Sequence, residues 1–209
     1  MTDSNSFSCR FSGGRPQTIH DFELAWAGRT SEDVGAGLSD GSFGMAEETG
    51  AFLSEVAKRA AREGRGLGEV AGQEIVEARL EFRELSVLAA AHEAGVPATV
   101  HVAIGTDIIH MHPKADGAAI GKATLRDFHR LTAVVATLTR GVVLNLGSAV
   151  ILPEVFVKAL NLARNLGRQV RRLTNYRRHG FHPTISAAYE CFAATYRGRR
   201  TLHRAYRPS

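Results

Sequence analysis

The chain has 209 residues, 44% of them apolar, enough to bury the core of one domain. Cys9 and Cys191 stand far apart with no CxxC spacing, which excludes a disulfide framework and a thiolate metal site. No window is apolar enough to span a membrane and no signal-peptide pattern opens the sequence, so a cytoplasmic protein is expected despite the net charge of +5.

In chain order, residues 1–17 are polar, Ser- and Gly-rich and aperiodic, and read as a disordered or non-native start. A short helix is expected over 19–27. A second helix start falls at Thr30-Ser31-Glu32-Asp33, where hydroxyls can cap and acids favour the first turn. Met45 to Arg62 carries apolar residues at helical spacing, closed by Gly64, Gly66 and Gly68. Helices over 68–79 and 82–94 follow, the second stopping at Gly95 with Pro97 beyond. The period then changes: residues 98–104 are β-branched and mostly apolar, as in a strand buried on both faces of a parallel sheet. A loop runs from Gly105 to Gly121. A helix over 124–139 has Leu125, Phe128, Leu131, Val134, Val135 and Leu138 on one stripe. Val142 to Leu146 is a second buried strand, and Gly147-Ser148 leads into a helix over 153–165.

Alternating helices and strands predict an α/β fold, a Rossmann-like three-layer domain over 18–167 with a mainly parallel sheet joined by right-handed crossovers. In such sheets ligands bind beyond the carboxyl ends of the strands, which places the loops after residues 104 and 146 side by side at one sheet edge. The first loop carries Gly105, Thr106, Asp107, His110, His112, Lys114 and Asp116. A strand-end carboxylate can accept ribose hydroxyls, and His110 and His112 can move protons near neutral pH. The pair also forms an HxH, a weak metal signal, and both histidines read equally as satisfied loop residues. In the second loop, Asn145, Gly147 and Ser148 precede a helix whose backbone N–H groups attract anions, although Gly147 also fits a tight turn. Glu154 is a candidate acid or base, or a favourable partner of the helix dipole. His20-Asp21 is a further pair, with Asp21 more simply a cap.

Residues 168–209 hold 10 of the 26 Lys and Arg but only 1 of the 21 Asp and Glu, a net +9 that leaves residues 1–167 at −4. All four Tyr lie there too, so this basic tail could contact phosphates and stack on bases. A second account is a shifted reading frame: codons for 178–209 read one base later admit a glycine-rich string, and such a tail should pack poorly and expose Phe181 and Phe192.

The segments IHDFELA, TSEDV, DGSFGMAEET, VHVAIGTDIIHMHP, ADGAAIG, LNLGSAVILPEVF and NLARNLG, spread over residues 19–167, resemble an uncharacterised bacterial family. That family is distantly similar to deoxyhypusine synthase, an NAD-dependent transferase with a Rossmann-like fold and a tetrameric assembly. The resemblance implies an NAD site at Gly105, Thr106, Asp107, Asn145, Gly147 and Ser148, a small polyamine-like substrate, catalytic roles for His110, His112 and Glu154, and a homo-oligomer. Two departures argue against deoxyhypusine synthesis itself. Leu152-Pro153-Glu154 stands where the synthase has its Lys-His motif, and no Trp-Gly-Lys segment supplies the catalytic lysine. The synthase's first strand and the loop opening its dinucleotide site are also expected to be missing before residue 17, as in a truncated, frameshifted member. The readings left open are an NAD-dependent transferase-like enzyme, an inactive binding or scaffold protein, and a nucleic-acid binder acting through its tail.

Overall fold

The computed structural model describes residues 11–30, 46–148 and 150–178. The expected helix start at 31–33 and the tail beyond Arg178, with Phe181 and Phe192, lie outside them. The order is β1 (Phe11–Gly14), α1 (Arg15–Ala27), α2 (Glu47–Glu63), α3 (Leu67–Glu77), a 3-10 turn at Arg83–Leu85, α4 (Val87–Glu93), β2 (Ala98–His101), a 3-10 turn at Ile108–His110, α5 (Gly117–Val135), β3 (Val142–Leu146), α6 (Ile151–Asn165) and β4 (Thr174–Arg178). The protein is α/β, with helices predominating and every described strand in a parallel pair. Among the described residues no helix is long and apolar enough to cross a membrane.

Two compact units divide at Asp127/Phe128, where the sequence suggests a single domain. In the first, β1 pairs with β2 in parallel, Phe11 opposite Ala98 and Gly14 opposite His101. Residues 11–14, expected to belong to a disordered or non-native start, thus form a strand. Glycine and serine hide a strand from propensity, and its backbone is fixed by the ladder of β2 rather than by its own side chains. The core gathers Phe22, Val56, Ala60, Val70, Ile75, Leu88, Val100, Ile120 and neighbours from α1 to α5.

Backbone-to-backbone packing in this unit depends on glycines. Gly64 ends α2 in the left-handed conformation, φ 66°, and its N–H reaches Ala60 O. Gly66 and Gly68, read from the sequence as helix stops, are close-approach positions instead. A Cβ on Gly68 would stand 2.7 Å from Ala98 O, and one on Gly66 would overlap Asp127 Oδ1. The space they leave admits the fully buried Asp127, whose Oδ2 accepts Gly68 N–H and Val100 N–H, each at 2.9 Å, tying the start of α3 to β2. α4 is capped twice over. Ser86 Oγ accepts Ala89 N–H, and Asp21 from α1 accepts the Ser86 hydroxyl and the N–H groups of Val87 and Leu88. Burial pushes the Asp21 carboxyl up against the pull of those three bonds.

In the second unit β3 pairs in parallel with β4, Val142 opposite Thr174 through Leu146 opposite Arg178. Its core holds Val135, Phe156, Ala159, Leu160, Ala163, Val170 and Leu173. Within the basic stretch 168–209, Val170 and Leu173 are therefore buried in this core and residues 174–178 form a strand. Two further expectations are corrected. β2 and β3 belong to separate two-stranded sheets, so no single Rossmann sheet is formed among the described strands. β3 is not buried on both faces: Val142, Leu144 and Leu146 point outward and are exposed, while Val143 packs on the core.

α5 begins at Gly117, seven residues before the expected start, because Asp116 Oδ1 accepts the N–H groups of Ala118 and Ala119 and caps it. Leu125, placed on its apolar stripe by periodicity, is exposed.

Candidate functional site

The first-unit loop is organised by its own histidines. Gly105 adopts φ 93°, reserved in practice for glycine, and the turn closes with Thr106 N–H and Oγ1 both on Ala103 O. His110 Nδ1 then accepts Gly105 N–H at 3.2 Å and Asp107 N–H at 3.3 Å. Asp107 answers in a capping box, its side chain taking the His110 backbone N–H. Two N–H donors onto Nδ1 fix His110 as the neutral tautomer protonated at Nε2. Ile109 beneath it is buried against Ile19 of α1 and Leu53 of α2, which anchors the loop to both helices.

His112 turns to the start of α2. Its Nδ1 accepts Lys114 N–H at 3.2 Å, so Nε2 carries the proton and donates to Glu47 Oε2 at 2.8 Å. Gly50 makes room for the ring: a Cβ there would overlap His112 Cδ2. The other oxygen of Glu47 accepts Lys114 Nζ at 3.0 Å. Lys114 first, then His112, holds the Glu47 carboxyl below its ordinary range. Two residues on from Glu47, Thr49 Oγ1 donates to Oε1 of the buried Glu23 at 3.1 Å, and His20 Nδ1 stands 3.4 Å from its Oε2. The start of α2, the loop and α1 thus share a set of carboxylates, imidazoles and one ammonium.

Asn145, Gly147, Ser148 and Glu154 belong to the second unit. Gly147 turns at φ 82°, which by itself requires glycine, and the space where its Cβ would stand is open. Asn145 Nδ2 donates to Ser148 O, and Ser148 Oγ accepts Leu152 N–H over the first turn of α6. Glu154 is exposed and lies 3.4 Å from Lys158 one turn on, the plain helix-surface arrangement. Among the described residues no three His, Cys, Asp or Glu side chains gather as a metal site.

No family model, curated protein or solved structure matches this chain. Function therefore rests on the residues themselves. A dinucleotide fits them in part. The open turn at Gly147 leaves room for a diphosphate, whereas at the start of α6 the Leu152 N–H is taken by Ser148 Oγ, the Glu154 N–H by Val150 O, and Pro153 carries none. Asp107, expected to take a ribose, is committed to the 3-10 turn. Glu47 and Gly50 escaped the sequence reading because two acids in a first helical turn read as dipole partners and a glycine inside a helix as a weak spot. The motif AEETG held the signal, but only the fold brings His112 onto it.

Proposed function

We propose that this chain binds a small cationic, amine-bearing molecule at the loop of residues 105–116 and the start of α2, as a deoxyhypusine-synthase-like protein without deoxyhypusine synthase activity. The observation that supports this most is Glu47, an exposed carboxylate that already accepts a primary ammonium on one oxygen and an oriented imidazole N–H on the other. Charge-assisted pairs of that kind are what an aliphatic amine offers and what neutral ligands cannot reproduce. The body of the chain, net −4 over residues 1–167, favours a cation as well. NAD is the cofactor this reading assigns to the turn of Asn145, Gly147 and Ser148. A homo-oligomer completes it.

A second reading, a binding protein without catalysis, is favoured by one specific feature. Nδ1 of His110 and of His112 both accept backbone N–H groups, so neither ring offers that nitrogen as a base. Calorimetric titration with spermidine, with and without NAD, tests the proposal. Saturable spermidine binding that weakens as ionic strength rises supports the amine site, and tighter binding with NAD supports the enzyme reading. Spermidine heats no larger than dilution would overturn the proposal, and spermidine binding with no response to NAD would leave the non-catalytic reading.

A further inference from the structure

Granting the amine site proposed above, we infer that Lys114 is its internal occupant: the Lys114 ammonium sits where the ammonium of a ligand goes and must leave for a ligand to bind. The two arms on Glu47 are built very differently. His112 is fixed, its side chain only 10% exposed, its ring set over Gly50, and its Nδ1 held by the Lys114 backbone N–H. It therefore keeps its Nε2 proton on Glu47 Oε2 whatever happens at the other oxygen. Lys114 meets Oε1 with a side chain that is 50% exposed, and Glu47 itself is 64% exposed.

An exposed Lys–carboxylate pair of two flexible side chains is weak, because water screens it and side-chain entropy opposes it. The stem of Lys114 can swing into solvent without unmaking the loop, since the loop is held by its backbone N–H on His112 and by Asp116 capping α5. What remains is a carboxylate oriented by an imidazole, with one oxygen open to N–H donors. A primary ammonium carries three such donors and reproduces the Lys114 contact, whereas a quaternary ammonium carries none. Lys114 thereby sets both the selectivity of the site, for primary amines, and its modest affinity, because a tethered ammonium competes at every binding event.

Titration of the full chain with 1,4-diaminobutane, and separately with tetramethylammonium, tests this on the native protein and on Lys114→Met and Glu47→Gln. Losing a competitor of surface-pair strength should tighten diamine binding about two- to fivefold in Lys114→Met. Glu47→Gln should abolish binding, and tetramethylammonium should bind none of the three. Diamine binding to the native protein that is unchanged or weaker in Lys114→Met would overturn the role of Lys114 and leave the amine site standing. Native-like binding in Glu47→Gln, or no binding by any variant, would overturn the amine site and this inference with it. Thermal melts of all three proteins exclude misfolding as the cause, since both residues are exposed.

Discussion

β2 and β3 read alike in the sequence, Ala-Thr-Val-His and Val-Val-Leu-Asn-Leu, yet they end in opposite environments. All four residues of β2 are buried. In β3 burial alternates, and Val142, Leu144 and Leu146 are 60–64% exposed. Apolar content states that a strand can be covered on both faces; it does not supply the cover. For β2 the cover comes from α3, which reaches the strand's backbone only because Gly68 has no Cβ, and from Asp127, which joins the two. For β3 the described helices cover one face.

The most damaging test of this difference is Asp127→Ala. It strips the acceptor from two buried N–H groups, and a buried donor left without its partner costs roughly 1–3 kcal/mol, so a loss of about 2–6 kcal/mol is expected in urea denaturation. A loss under 1 kcal/mol would mean that Asp127 does not organise the junction of α3 and β2.

Nearly as large is the acid sensitivity of β2. Burial holds the His101 imidazole at about 4, with Thr99 Oγ1 3.2 Å from its Nε2 as its polar partner. In the unfolded chain it titrates near 6.5, so between those values the unfolded state binds the extra proton. Stability is therefore full above about pH 6.5 and falls as pH drops toward 4, by about 3 kcal/mol in total for a shift of this size. Unfolding free energies at pH 7 and pH 4.5 should converge in His101→Leu. If the native slope persists in that variant, other groups cause it.

These features also mark the limit of what the sequence discloses. The helices over 47–63, 67–77 and 151–165 and the strand 142–146 follow from period and glycine punctuation, because those signals are local. β1 and β4 do not, since Phe-Ser-Gly-Gly and Thr-Asn-Tyr-Arg-Arg lack strand patterning and form only by pairing with β2 and β3. At the candidate site the loop histidines were legible as chemistry. Their partners were not: Glu47 lies 65 residues from His112, and nothing local announces that contact.

Gly50→Ala probes that contact with a smaller effect. The added methyl must displace the His112 ring, an overpacking cost of about 1–3 kcal/mol, while alanine returns about 1 kcal/mol of helix propensity. A net loss of about 1 kcal/mol is expected, together with a shift of the His112 ring resonances. Unmoved resonances would show that the ring does not rest on Gly50.

The smallest expected effect sharpens the contrast between the strands most directly, because the same substitution can be made in both. Val100 is fully buried in β2, and truncating it to alanine removes two methyl groups from a packed core, which should cost about 1–3 kcal/mol. Val142 is 60% exposed in β3, so Val142→Ala gives up little buried area and should change stability by no more than about 0.5 kcal/mol, the ordinary range for surface positions. Both strands pair in parallel, and both valines sit within apolar runs, so intrinsic strand propensity changes equally in the two variants and cancels in the comparison. What survives is the difference in cover. Urea midpoints measured at two protein concentrations tenfold apart separate the sources of cover. If Val142→Ala costs as much as Val100→Ala at both concentrations, the outer face of β3 is covered within the chain. If the cost grows with concentration, a second copy covers it, because only association makes stability depend on protomer concentration.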